Sequence, residues 1–296
     1  MLDFFGTQIV MKWEGLRIFI AIIGTAIATY YDIFNNRNVP NLLLYSFLGA
    51  ALLVNLLFDT SSLGYTAVIA ILVFIIGYGL YVFGQLGGAD VFVLASISLL
   101  LPVQPTTLLI GEEPIIAFPF ILSVLLLSSI VFGVFLLIRY VPLFMRGVFA
   151  GKVSVPKERF AYAGIILIAY VLFIYLSFSF PYFPAPYIFL FSVIVFLTLF
   201  FMFAREFIAN EMIEWVGVKE IEEEDVIAID RMRKGDVEKY KIARVATKNE
   251  LEKLKKLPIE KYPVYKKMTE FLPFVLVGLI ASVVFGDVVL LSAGLV

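Results

Sequence analysis

Eight apolar windows near the length of a bilayer span recur along this chain, at roughly 16–34, 41–58, 62–83, 91–110, 115–138, 160–180, 187–207 and 271–293. A hydrocarbon core about 30 Å thick is crossed by about 20 apolar residues in a helix, so this recurrence constrains the fold more than any other feature. Of the 296 residues 61% are hydrophobic and 16% charged, more apolar surface than a water-soluble core hides. Pro102 and Pro105 interrupt the fourth window, and only "GEEP" at 111–114 separates it from the fifth. The expected fold is therefore an all-α polytopic membrane protein with six to eight transmembrane helices and a small α+β cytoplasmic domain.

The loops carry a charge asymmetry. Between the fifth and sixth windows lie Arg139, Arg146, Lys152, Lys157 and Arg159 against the single acid Glu158, and Arg37 lies between the first and second. The short loops of the opposite side hold Asp59, Glu112, Glu113 and Asp287 and no Lys or Arg. Positive residues stay cytoplasmic, which puts the Asp32 and Asp90 ends of their helices in the cytosol of a multi-pass plasma-membrane protein. Lys12 and Arg17 count the other way and are outnumbered. The N-terminal stretch lacks a cleavable signal pattern, so the first span is expected to direct insertion.

Residues 209–269 differ in kind: these 61 positions hold 14 of the 23 Lys and Arg and 13 of the 24 Asp and Glu. The expected division is a transmembrane domain over 1–208, a soluble cytoplasmic domain over 209–269 and a last transmembrane helix over 270–296. Within the soluble part, "DVIAIDRM" (225–232), a turn at "RKGD" and "VEKYKIARVA" (237–246) read as a hairpin. Thr247 and Glu250 form a capping box ahead of a short helix ended by Pro258 and Pro263, and "VYKKM" (264–268) reads as a returning strand. There is no phosphate loop, no metal-ligand cluster and no basic stripe with interleaved aromatics, so no nucleic-acid partner is expected. The acidic run "EIEEED" (220–225) reads either as a solvated loop or as an attractor for a basic peptide.

The chain contains neither Cys nor His. That excludes disulfides, thiol nucleophiles, Ser-His triads and the HExxH metal site, leaving carboxylates, hydroxyls, Lys and Arg for any chemistry. Ionisable groups at membrane level are the informative ones, because each costs at least ~2.5 kcal/mol at a helix centre. Asp32 closes the first span in "ATYYDIFNNRNVPN", and Asp90 opens the fourth in "GGADVFV". An acid at a helix end has a plain reading as an interfacial residue facing water, and Asp90 a second one as a helix-capping residue. Two features favour chemistry. Both acids lie at the same cytoplasmic level, and Gly87, Gly88 and Ala89 leave room for a peptide backbone beside Asp90. Arg37, Pro40 and Asn41 form the rigid turn that fixes where Asp32 points. Two facing carboxylates can divide the roles of general base and general acid and share one proton. The same pair also suits an ion- or proton-coupled transporter, which would line its path with polar groups.

"GGAD" at 87–90 resembles the GxGD motif of membrane aspartyl proteases, and "DIFNNRNVPN" at 32–41 resembles the first-aspartate region of type IV prepilin peptidases. "RMRKGDV" (231–237), "NELEKLKK" and "FLPFVLVGLIASVVFGD" (271–287) are similar to the tail of archaeal preflagellin peptidases. The resemblance covers roughly 16–110 and 225–290. It implies that Asp32 and Asp90 are the catalytic pair, that no cofactor or metal takes part, and that the partners are precursor archaellins or pilins cut after a short basic leader. Ala89 stands in place of the motif's second Gly, and Phe92 where many relatives carry Lys. Residues 139–208 add a hairpin beyond the six spans the resemblance implies. The cysteine-rich insert of bacterial relatives is absent.

Overall fold

In the computed structural model of the protein, residues 11–35, 37–106, 119–151, 153, 156–179, 185–266 and 268–286 are described. The membrane part consists of α1 (Glu14–Phe34), α2 (Asn41–Phe58), α3 (Leu63–Val82), α4 (Gly88–Leu100), α5 (Phe120–Phe149), α6 (Lys157–Ser179), α7 (Ala185–Met212) and, after the water-facing part, α10 (Leu272–Phe285). Six of them, α1, α2, α3, α5, α6 and α7, are long and apolar enough to cross a membrane, while α4 and α10 have 13 and 14 residues. This is a polytopic helical membrane protein.

The fourth window is shorter than its hydropathy suggests. α4 ends at Leu100, and an irregular segment follows in which Val103 bridges to Pro119. Pro102 explains the stop, because a residue before proline is pushed out of helical geometry. Residues 107–118 and 287–296, with Glu112, Glu113 and Asp287, lie outside the described residues.

α4 is the centre of the bundle. It packs against α3, α2 and α1 and touches α5, and from Asp90 to Leu100 only Phe92 is not buried. The buried face of α1 carries Arg17, Ala21, Thr25, Ala28, Thr29 and Asp32, a helical stripe turned inward. α10 lies along α5 and α1. Lipid is as apolar as leucine, so close packing rather than a hydrophobic drive joins such helices. Gly278 shows how close: a Cβ there would fall 2.2 Å from Ser128 Oγ and 2.8 Å from the Val124 carbonyl oxygen. α6 and α7 form a peripheral hairpin, joined to α5 through Leu136, Tyr140, Ala204 and Ile208. Ile165, Ile168, Val171, Leu172 and Tyr175 of α6 are exposed, as suits a lipid-facing helix.

Between α7 and α10 a second apolar core forms from Val216, Ile221, Ile227, Ile242, Ala246, Leu254, Tyr262 and Val264. Here water supplies the drive, at roughly 1.5–3 kcal/mol per fully buried large side chain. β1 (Glu214–Gly217) and β2 (Lys261–Val264) pair antiparallel, with Val216 opposite Tyr262. The expected 225–246 hairpin is corrected. Val226 bridges Val245 and the Ile227 amide donates to the Arg244 carbonyl at 2.7 Å, but the link between the arms is the helix α8 (Lys234–Tyr240). Val237 and Tyr240, three apart, give that segment a helical rather than an alternating period. The returning strand lies at 261–264, ahead of the expected 264–268. α9 (Lys248–Leu254) is capped as expected, Thr247 Oγ1 accepting from the Glu250 amide at 3.4 Å. The Glu250 carboxylate turns instead to the Ala243 amide at 2.9 Å.

Candidate functional site

The site is where two helix N-termini meet the end of α1. Asp32, near the last turn of α1, is 8% exposed, and Asp90, in the first turn of α4, is 7% exposed. The two carboxylates lie near enough to interact electrostatically. Asp90 caps its own helix, Oδ2 accepting the Gly87 amide at 2.8 Å. The capping reading and the proximity to Asp32 thus hold together, and one oxygen of Asp90 stays outside that cap. The amide of Leu272, first residue of α10, faces the Asp32 carboxyl. Asp32 Oδ2 is buried with no hydrogen-bond partner among the described residues. A helix N-terminus favours negative charge, so α4 and α10 each aim their positive end at one of the two acids.

Arg37 takes a left-handed backbone (φ 62°), its amide donating to the Asp32 carbonyl at 3.1 Å. Its guanidinium reaches across the bundle. Nε donates to Glu270 Oε1 at 3.2 Å and Nη2 to the Met268 carbonyl, tying the α1–α2 turn to the segment that leads into α10. Arg37 and Glu270 both lie within electrostatic range of Asp32. Pro40 is the N-cap of α2, and Asn41, its first residue, is exposed. These two frame the turn and do not touch the acids. Phe92 stands edge-on to Tyr45 and Phe74, with centroids 5.5 and 5.7 Å away, and packs α4 against α2 and α3.

Sequence reasoning missed what covers the "GGAD" turn. The loop Glu222–Val226 of the water-facing part sits on it. A Cβ on Gly88 would lie 3.0 Å from Glu224 Oε1, and one on Gly84 (φ 67°) 2.8 Å from Val226 Cγ1 and 3.5 Å from Arg244 Nε. The Gly88 amide faces the Glu224 carboxyl, and Glu224 itself holds a left-handed φ of 71°. Although Glu224 as a residue is exposed, burial of its carboxyl against α4 raises its pKa above the usual carboxylate value; Glu223 adds to the rise and the Gly88 amide opposes it. The small residues expected to admit a substrate therefore also admit this loop. The run of acids at 220–225 was the available signal, but nothing local says that its fourth Glu points inward. Among the described residues no cluster of three or more Asp and Glu is arranged to hold a metal ion.

Residues 19–138 match the type IV leader peptidase family. The match contains α1 from Phe19 onward, α2–α4, both candidate acids and the first part of α5; it ends before the α6–α7 hairpin, the water-facing part and α10. No curated protein and no solved structure matches the chain. Motif resemblance and family match coincide over α1–α4: this part of the chain, about two fifths of its length, is similar to the type IV leader peptidase family.

Proposed function

We propose that this protein is a membrane aspartyl endopeptidase that removes the short basic leader from archaellin- or pilin-like precursors. The observation that carries the reading is the pairing of Asp32 and Asp90, buried carboxylates from α1 and α4 held within electrostatic range at one end of the bundle. Like charges at close range cannot both ionise cheaply, so the pair shares a proton. The ionised member takes a proton from water as the water attacks the scissile carbonyl. The protonated member donates to the carbonyl oxygen; the member that took the water proton then passes it to the leaving amine, and the collapsing gem-diol returns a proton to the first. Gly87, Gly88 and Ala89 leave the peptide backbone room beside Asp90, and Arg37 keeps the Leu272 amide on Asp32. By the loop charges the acids face the cytosol, where a precursor presents its leader. Purified protein incubated with a precursor yields a product lighter by the leader. Asp32→Asn and Asp90→Asn each yield none, and cleavage by either variant refutes the reading.

One observation favours a second reading. Thr25 Oγ1 and Thr29 Oγ1 lie buried without hydrogen-bond partners among the described residues on the α1 face that leads to Asp32, as a proton or cation path would require. Proteoliposomes decide: flux abolished by Asp32→Asn, with no precursor cleaved, would establish a transporter.

A further inference from the structure

Buried charge in a membrane helix is costly and tends to carry a role. Arg17, on α1, is 1% exposed and lies at the end of α1 opposite Asp32. Its Nε donates to the Lys12 carbonyl at 2.8 Å, Nη1 to Asn55 Oδ1 at 3.0 Å and to the Leu100 carbonyl at 3.1 Å, and Nη2 faces Asp59 Oδ2 at 3.7 Å. Asn55, fully buried on α2, donates through Nδ2 to the Leu99 carbonyl at 2.8 Å and to the Ala51 carbonyl at 2.9 Å.

Leu99 and Leu100 are the last two residues of α4. A helix end leaves its final carbonyls without intrahelical partners, and in hydrocarbon no water replaces them. α4 ends early: 13 residues rise ~20 Å against a core of ~30 Å. Its terminal carbonyls need protein donors, and Arg17 and Asn55 supply them. α1 and α4 run antiparallel, so Arg17 meets the end of α4 at one pole while Asp32 meets its beginning at the other. The chain joins α4 to α3 through the five-residue turn 83–87, which contains Gly84 and Gly87. A shift of α4 along its axis carries Asp90 past Asp32, and the contacts at Leu99 and Leu100 oppose that shift.

We propose that Arg17, seconded by Asn55, is a positioning residue that locks the axial register of α4 against α1 and so sets the approach of Asp90 to Asp32. The catalytic consequence rests on the peptidase reading above; the register itself does not. Misplacing a reacting group by about 1 Å costs about a hundredfold in rate, so the lock acts on kcat and leaves substrate binding alone.

The test uses full-length protein in detergent or nanodiscs. Replacing Arg17 alone strands Asp59, so the main variant is Arg17→Met with Asp59→Asn, which leaves no unpaired buried charge; Arg17→Lys and Asn55→Leu accompany it. Spin labels on cysteines introduced at Asn35 and Gln85, exposed positions beside the two acids in a chain with no native Cys, read the register without reference to activity. The double variant should broaden or displace the label distance and lower kcat at least tenfold with KM within twofold. Arg17→Lys, a point donor without the planar fork, should fall between it and the parent, and Asn55→Leu should repeat the effect in weaker form. An unchanged distance distribution in the double variant overturns the proposal. So does a kcat within twofold of the parent in folded protein. If the parent protein itself cleaves no precursor, the peptidase reading falls, and the label distances still decide the register lock.

Discussion

α4 and α6 are both apolar helices in one membrane protein, and they are opposites. α4 has 13 residues, is buried on every side from Asp90 to Leu100 save at Phe92, and has partners at both ends, Glu224 over Gly88 and Arg17 with Asn55 under Leu99 and Leu100. α6 has 23 residues, of which Ala163 and Ser177 alone are buried among those described. A helix enclosed by other helices need not reach both faces of the bilayer, because protein groups replace water at its ends. A helix facing lipid must be long and needs little else. The difference teaches that hydropathy finds the helices lipid touches, while the candidate acid Asp90 sits on the helix that lipid does not reach.

The largest expected contrast is in activity. Asp90→Asn or Asp32→Asn should lower cleavage at least about a thousandfold, and the double variant should be no worse than either single, since groups acting as a unit are not additive. Ser177→Ala on α6 should change the rate less than twofold. Leader release followed by mass decides both, and equal effects at the two places would erase the distinction. Next comes stability. Gly278→Val must displace the α5 backbone, at a cost of about 1–3 kcal/mol or more by overpacking, whereas Gly164→Val on α6, where a Cβ meets nothing within 4 Å, should stay within about 0.5 kcal/mol. Unfolding midpoints in one detergent measure the pair.

Two arginines refine the contrast. Arg37 joins the turn after α1 to Met268 and Glu270, while Arg159 on α6 joins Glu206 at 2.5 Å and the Met202 carbonyl at 3.0 Å on α7. Arg37→Ala should reduce kcat roughly tenfold by loosening the Leu272 amide from Asp32, a displacement of the kind that costs up to about a hundredfold. Arg159→Ala should be almost silent, as partly exposed ion pairs mostly are. The smallest effect concerns pH. The Glu224 carboxyl is held above its ordinary value where it packs on α4, so the docked loop binds a proton more readily than the released one. Docking is then fully stable below the ordinary Glu value of about 4.3 and weakens as pH rises through the elevated one. Glu224→Gln should remove that trend, so the variant gains thermal stability relative to the parent as pH goes from 4 toward 7. A gain that shrinks with rising pH would refute the docking.

Much of this was legible because it was local. The windows for α1, α2 and α3 fall within a residue or two of the helices, since lipid selects on length and apolarity alone. Thr247 announces α9 because its hydroxyl meets an amide three residues on. Asp32 and Asp90 stand out because few acids occur outside residues 209–269. What stayed hidden depends on segments far apart. Arg17 reads as a loop charge bearing on topology until Asp59, Asn55 and Leu100 surround it. "RKGD" reads as a turn because Gly235 and Asp236 suit one, yet the segment is helical and Tyr240 packs on the core from it. Glu224 is one acid in a run of four, and its contact with Gly88 spans more than 130 positions.

The Leu272 amide on Asp32 has a consequence for biosynthesis. The two residues are 240 positions apart, and a ribosome adding about 5–20 residues per second needs roughly 10–50 s to travel from one to the other. For the last 182 of those 240 positions both acids have been made, yet Asp32 lacks the amide that α10 brings. A chain halted after Thr269 should therefore insert and cleave nothing, and cleavage by it would show the amide to be dispensable. On the peptidase reading, the last helix to be made works as an ignition key, withheld from the nascent enzyme until the rest of its chain is in place.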